Sequence, residues 1–182
     1  MRTRNLLTGA FLLLALLTEG AIALSGYGDR SSVTVLARGP AGLRIEGKGS
    51  EVSIAEDGAA LTFTVPLAPL DTGMGLRDLQ MREILEAEKY PAAVLRVART
   101  SLSFPHEHQV TEETVDGELT LHGQSRPVKV HYRAELAGSD VTRVSGSLQL
   151  DIRDFDIKAP SYLGMTVAPK IEVRVELSVK RA

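Results

Sequence analysis

Cysteine and tryptophan are absent from the 182-residue chain, and aromatic residues make up only 4% of it. Without cysteine the protein cannot form a disulfide, use a thiol nucleophile, build a cysteine-based zinc site or carry a lipid on an N-terminal cysteine. So few aromatic side chains leave little surface on which nucleic-acid bases or sugars could stack. The formal net charge of −2 provides no basic footprint for nucleic acid.

Catalytic motifs are also missing. The chain contains neither the G-x-S-x-G elbow of a serine hydrolase nor the H-E-x-x-H pair of a zinc protease, and the segment 47–49 (GKG) is too short for a phosphate-binding loop. His106 and His108 are two residues apart, so on a strand both could point at one metal ion. No third ligand follows at a motif spacing, and we interpret this segment as a polar turn. We expect no metal, no cofactor and no catalytic residue.

The N-terminus has the three parts of a secretory signal. Two arginines precede an apolar run at residues 10–17, and small residues at positions 21 and 23 match a cleavage site. The apolar stretch is interrupted and short for a span of ~20 residues. We therefore predict a signal peptide over residues 1–23 and one domain over residues 24–182.

Most of that domain shows the two-residue period of half-buried strands. The clearest case is the stretch 116–136, where two alternating segments flank a short polar connection. Gly123 supplies a positive φ at the turn, and Pro127 is expected where the second strand begins. This pattern predicts a β-hairpin with Leu119, Leu121, Val130 and Tyr132 on its buried face and Lys129, His131 and Arg133 outside. His122 and His131 are predicted to pair across the strands and satisfy local hydrogen bonds.

Similar alternation occurs along the rest of the chain, and the whole domain is predicted to contain eight or more strands. The expected strands lie around residues 33–37, 43–45, 52–54, 60–67, 94–99, 102–104, 144–152 and 171–179. Antiparallel strands of this number and regularity are typical of a barrel or a sandwich. An eight-stranded barrel has room inside for one small ligand.

One segment follows a helical period instead. Apolar residues recur at three-to-four spacing after the helix-start signal of residues 71–73, which predicts a short helix from about Gly75 to Ala87. Arg82 and Glu86 are expected to pair along it. The adjacent residues Arg77 and Asp78 are interpreted as an ion pair that ties the helix to the barrel.

Three blocks of the chain, in the same order, resemble motifs of the YceI-like family of polyisoprenoid-binding, lipocalin-shaped proteins of bacterial envelopes. They are the helical segment LDTGMGLRDLQMREILEAEKYPAAVL, the hairpin GELTLHGQSRPVKV and the C-terminal LDIRDFDIKAPSYLGMTVAPKIEVRVEL. The matching positions that the resemblance marks as structural are Thr72, Gly73, Arg77, Asp78, Tyr90, Pro91, Gly117, His122, Gly123, Asp154 and Phe155.

The resemblance implies an all-β fold, an extended eight-stranded antiparallel lipocalin-like barrel with one short helical insertion. It also implies a periplasmic or secreted protein that holds a long-chain isoprenoid, an isoprenoid quinone or another amphiphilic lipid for storage, shielding or transport. Contact with a membrane surface and the oligomeric state are left open. The cavity candidates, taken from the apolar faces of four strand patterns, are Phe63, Val65, Leu119, Leu121, Leu148, Leu150, Val173 and Val175.

Two alternatives are left open by the strand pattern. The barrel interior could be filled by its own side chains, which would make the protein an envelope stress or interaction module without a ligand. A polar rim could also act chemically on a lipid head group. Alternation shows which residues share a face, but it does not distinguish a hollow interior from a packed one.

Overall fold

A computed structural model describes residues 31–106, 109–137, 141–162 and 165–180. The predicted signal peptide lies outside these residues. Within them are eleven strands, one α-helix and three short 3-10 helices, at Pro40–Gly42, Arg99–Ser101 and Ile152–Phe155. The α-helix, α1, spans Gly75–Ile84. The strands are β1 Ser32–Arg38, β2 Arg44–Gly49, β3 Ser53–Glu56, β4 Ala60–Pro66, β5 Ala92–Ala98, β6 Val110–Leu121, β7 Gln124–Leu136, β8 Val141–Asp151, β9 Ser161–Tyr162, β10 Met165–Thr166 and β11 Lys170–Lys180.

Nine of the strands form one antiparallel sheet in the order β2-β1-β11-β8-β7-β6-β5-β4-β3, and β9 and β10 form a separate pair. The sheet curls into a half-barrel, so the predicted all-β class is confirmed while the predicted strand number of eight is corrected to nine. β11 completes the sheet by pairing with β1, with Val175 opposite Val33. The edge strands β2 and β3 are consecutive in the chain. In the described residues no ladder joins them, and β2 instead forms a single bridge from Lys48 to Asp71.

The central hairpin follows its predicted register. The four residues expected on the inner face are all buried, and the three expected outside are exposed. The turn has two residues, His122 with φ 51° and Gly123 with φ 74°. A positive φ at both positions is required by the type I′ turn, whose twist matches that of the flanking strands. The second strand therefore begins at Gln124, and Pro127 lies within it opposite Glu118.

The helix is shorter than predicted. It ends with the hydrogen-bond pair of a Schellman motif, from the Glu86 amide to the Glu83 carbonyl and from the Ala87 amide to the Arg82 carbonyl. Glu86 takes the left-handed position (φ 46°) that glycine usually occupies. Because the helix has ended, Glu86 turns away from Arg82, and the predicted pair between them is replaced by contacts to Lys89 and His122.

Two further assignments change. The segment 47–49, expected between two strands, is the end of β2 itself. Residues 102–104 are not a strand, because the 3-10 helix Arg99–Ser101 turns the chain after β5 and places the Phe104 ring under the Arg99 guanidinium, 3.9 Å from the ring centroid.

The buried side chains lie on the concave side of the curled sheet and beneath the Ile152–Phe155 turn. Phe155 is the most enclosed large side chain, with 1% of its surface exposed. Among the described residues, no helix is both long enough and apolar enough to cross a bilayer.

Candidate functional site

The concave side of the sheet surrounds a cavity of about 1430 Å³ that is partly open to solvent. Typical small-molecule pockets measure about 300–1,000 Å³, so this cavity is larger than one small ligand requires. Its lining is mainly aliphatic. The lining residues come from β1 to β8, from β11 and from α1, and also from the loop after β5 and the loop after the Ile152–Phe155 turn. The interior of the half-barrel is therefore hollow.

All eight cavity candidates from the sequence line this space. Phe63 and Val65 come from β4, Leu119 and Leu121 from β6, Leu148 and Leu150 from β8, and Val173 and Val175 from β11. Leu119, Leu121 and Leu150 are also packed in the buried core, whereas the other five are only partly buried. Their position in the cavity is an observation, and their role in binding a ligand stays a prediction.

The sequence-based list missed the side chains that α1 contributes. Met81 and Ile84 line the cavity, and the helix lies close enough to β2 that a Cβ atom at Gly47 would meet the Met81 sulfur at 3.8 Å. The helical period identified an apolar stripe there, but nothing local indicated that the stripe faces a cavity. The list of cavity candidates also left out residues of β1, β2 and β7 that line the cavity. One of them is Tyr132, which the strand pattern assigns to the buried face of the hairpin but not to a cavity.

A minority of the residues that line the cavity have polar side chains. Glu56 and Arg99 line the cavity as an ion pair, with Arg99 Nε 2.9 Å from Glu56 Oε1. Tyr132 is buried, and its hydroxyl accepts a hydrogen bond from the Ser103 amide at 2.9 Å. Burial, opposed by that hydrogen bond, raises the pKa of Tyr132. The helix adds Arg77, Gln80 and Glu83 to the lining.

The family-motif residues just before the helix and in its first turn form a structural unit beside the cavity. Asp78 has only 7% of its surface exposed, and its Oδ1 accepts hydrogen bonds from the Thr72 hydroxyl at 2.6 Å and the Thr72 amide at 2.8 Å. Gly73 has a φ of 74° and donates to Asp71 Oδ1. The predicted pair of Arg77 with Asp78 is wrong: among the described residues Arg77 makes no ion pair within 4 Å, and Thr72 is the partner of Asp78.

Replacing Asp78 tests this unit through its pH dependence. Hydrogen bonds from Thr72 lower the pKa of Asp78 in the folded protein. A carboxyl with a lowered pKa stabilises the fold above its unfolded-state pKa, and that stabilisation is lost as the pH falls through the folded-state value. Asp78→Asn should therefore lower the free energy of unfolding at about pH 7, and by a smaller amount at about pH 3.

Urea titrations at the two pH values measure this difference. Asp116→Asn is the matched control, since the side chain of Asp116 is 79% exposed, and it should change stability little at either pH. An equal loss for Asp78→Asn at both values would show that the charge of Asp78 is not what stabilises the helix entry.

A second group of family-motif residues joins the hairpin turn to the Ile152–Phe155 turn. His122 Nδ1 lies 3.0 Å from the Phe155 carbonyl oxygen, its Nε2 lies 3.3 Å from Glu86 Oε1, and its ring meets the edge of Tyr90 with centroids 4.9 Å apart. A Cβ at Gly123 would lie 2.7 Å from the Tyr90 ring, so the turn needs glycine for space as well as for its φ.

The other members of this group act through the backbone. The carbonyl of Asp154 accepts from Arg126 Nε at 2.9 Å, and the carbonyl of Pro91 accepts from the Leu67 amide at 2.9 Å. A Cβ at Gly117 would meet Leu95 at 3.0 Å. The Asp154 and Pro91 contacts hold loops at the helix end of the sheet, whereas Gly117 lies farther along β6, opposite Val97.

The histidines do not form the arrangement predicted from the sequence. His131 contacts Thr114 and Glu112 on β6 and does not pair with His122. Both histidines nevertheless make local polar contacts, as expected. His108 lies outside the described residues, which leaves the predicted turn at 105–108 only partly described. Within the described ranges, no three metal-binding side chains come together.

Comparison with known proteins assigns the chain to a family. The sequence model of the YceI-like domain matches residues 30–179, which include all three motif blocks. The chain belongs to the YceI-like family. No curated protein sequence gives a significant match to it.

Solved structures similar to this YceI-like chain share its fold at low sequence identity. A polyisoprenoid-binding domain from Saccharophagus degradans, implicated in plant cell wall breakdown, has a TM-score of 0.69 and 14% identity over 85% of this chain and 97% of its own. BcnA from Burkholderia cenocepacia has a TM-score of 0.65 and 20% identity over 81% and 95%. The YceI protein of Campylobacter jejuni has a TM-score of 0.52 and 18% identity over 72% and 81%.

Proposed function

We propose that this YceI-like chain is a binding protein, and not an enzyme, that holds a long-chain isoprenoid or a similar amphiphilic lipid inside the half-barrel. The observation that carries the proposal is the large hollow interior with its aliphatic lining. The description of the Saccharophagus degradans relative as a polyisoprenoid-binding domain supports the same ligand class.

The energy of burial favours a long ligand over a short one. Each buried CH₂ contributes about 0.8 kcal/mol, so one five-carbon isoprene unit contributes about 4 kcal/mol. Association costs roughly 4–15 kcal/mol in lost freedom of motion. One unit barely offsets the lower limit of that cost, and several units are needed for stable binding.

The cavity volume indicates how long a ligand it can enclose. If each carbon takes roughly the 30 Å³ of one water molecule in the liquid, then 1430 Å³ encloses roughly nine isoprene units. Several units therefore fit inside, and the protein can shield them from water.

The proposal includes export. The signal pattern of residues 1–23 supports a periplasmic or secreted location, where a lipid that leaves a membrane would need such shielding. Intact-mass analysis of the protein expressed in a Gram-negative host should show loss of residues 1–23, and a membrane-bound product that keeps them would contradict this part.

Extraction of the purified protein tests the ligand directly. We expect organic extraction followed by mass spectrometry to recover an isoprenoid or a related long-chain lipid in a near-stoichiometric amount. Protein denatured and refolded without lipid should take up such a lipid again when it is supplied. Absence of lipid from the purified protein together with no uptake after refolding would reject the proposal.

A further inference from the structure

One ion pair lies inside the mainly apolar cavity, whose other charged lining residues, Arg77 and Glu83, are on α1. Of the ion pairs among the described residues, Glu56 with Arg99 is the one whose two members both line it. The Glu56 side chain has 13% of its surface exposed and that of Arg99 has 38%. Moving charges out of water is costly, so an ion pair of this kind contributes little to the stability of the fold. We therefore considered a role for the pair in binding.

The pair marks one end of the cavity. β4 and β5 are antiparallel, with Ala60 opposite Ala98 at one end and Pro66 opposite Ala92 at the other. The helix segment connects Pro66 to Ala92, whereas Glu56 precedes β4 and Arg99 follows β5. The pair is therefore separated from the helix end by the length of β4, about 20 Å for seven residues.

Contacts with Glu56 and Phe104 hold the Arg99 guanidinium in place. Its Nε donates to Glu56 Oε1, and its guanidinium lies over the Phe104 ring. In the described part of the chain, its two terminal nitrogens donate no hydrogen bond to the protein. Ser103 and Phe104 line the cavity next to it. A planar guanidinium fixed by a carboxylate and a ring presents its remaining N–H groups in a defined direction.

We propose that the Glu56–Arg99 pair recognises the head group of the bound lipid, and that this head group is polar and uncharged, carrying a hydroxyl or a carbonyl. This inference rests on the proposed function. Arg99 donates to the oxygen of the head group, and the Glu56 carboxylate accepts from its hydroxyl when it has one. The lipid tail then extends from this pair toward the helix end.

At the Glu56–Arg99 pair, charge disfavours an ionic head group. The pair is neutral overall, so it offers hydrogen bonds without a net attraction for an ion. A phosphate would approach Arg99 but would also lie beside the Glu56 carboxylate, and like charges at such distances repel. An amine would meet the reverse conflict. An uncharged hydroxyl or carbonyl satisfies both partners.

Competition between matched lipids tests this preference. Delipidated protein is given equal concentrations of geranylgeraniol and geranylgeranyl diphosphate, and native mass spectrometry measures the ratio of the two complexes. We expect the alcohol complex to exceed the diphosphate complex at least about tenfold, given the energy of a hydrogen bond to a charged group. The hydrocarbon that lacks the hydroxyl is measured separately as a probe of the apolar cavity alone.

Each member of the pair has its own expected effect. Glu56→Gln removes the repulsion and should move the ratio toward the diphosphate. Arg99→Gln removes one hydrogen-bond donor and should weaken binding of the alcohol toward that of the hydrocarbon, while Arg99→Lys should restore it in part. The exposed pair of Arg96 with Asp57 lies nearby, with Arg96 on β5, the strand that Arg99 follows, so Arg96→Gln is the matched control and should leave the ratio unchanged.

The outcomes separate this inference from the proposed function. If alcohol, diphosphate and hydrocarbon bind equally and the variants change nothing, the head-group site is wrong and lipid binding stands. A preference for the diphosphate in the unmodified protein would also overturn it. If none of the three lipids binds, the proposed function itself fails.

Discussion

Val130→Asp should unfold the protein or lower its free energy of unfolding by about 3 kcal/mol or more, because an unpaired carboxylate in an apolar interior is costly. Val130 lies opposite Val115 on β6 and Leu148 on β8. It is 8% exposed and packs with Val97 and Tyr132 in a buried cluster. Urea denaturation of the purified variant measures the loss.

Lys129→Gln is the control at the neighbouring position. The Lys129 side chain is 73% exposed and contacts Asp116 at 2.6 Å on the outer face. Exposed ion pairs contribute about 0–1 kcal/mol, so this variant should keep nearly all of the stability. Similar midpoints for Val130→Asp and Lys129→Gln would contradict the register of the hairpin.

Gly146→Phe should remove most of the bound lipid while leaving the fold intact. Gly146 lines the cavity between Tyr132 on β7 and Val175 on β11. A Cβ atom at this position would have one neighbour within 4 Å, the His131 carbonyl oxygen at 3.9 Å. A side chain placed here therefore enters open space. Phenylalanine also suits a strand better than glycine does. The ring should take volume from the ligand without crowding the backbone.

Two measurements on the same variant show which property changed: lipid content by mass spectrometry, and denaturation of the lipid-free form. Ser145→Phe is the matched control, because Ser145 is the adjacent residue of β8 and is exposed; it should retain its lipid. A filled interior would instead be overpacked by Gly146→Phe, at about 1–3 kcal/mol. Such a loss, with lipid content unchanged, would contradict a cavity that holds the ligand.

The hairpin and the strand faces could be predicted from the sequence because alternation is a local property. Side chains two residues apart share a face whatever the strand pairs with. This rule placed the inner residues of β6 and β7 correctly, and it selected eight residues that the structure finds around one cavity. The three motif blocks identified the family because they recur in the same order.

The helix end could not be predicted in the same way. No glycine follows α1, and Glu86 occupies the left-handed position, within 3.3 Å of both Lys89 and His122. Lys89 is close in the chain, but His122 belongs to the hairpin turn. Such a conformation depends on contacts that form only after the sheet has curled, so a local pattern extended the helix too far and assigned Glu86 to the wrong partner.

The sequence by itself determined the strand faces, the hairpin, the presence of the helix and the family, since each depends on neighbours in the chain or on the order of motifs. Only the tertiary structure decided that nine strands join one sheet, that its interior is hollow, and that Glu56 and Arg99 meet inside it. These features depend on how far the sheet curls and on residues distant in sequence, 43 positions apart for that pair. Alternation specifies the face of the sheet on which a side chain lies. Whether that face borders a cavity or a packed core depends on the positions of all the other strands.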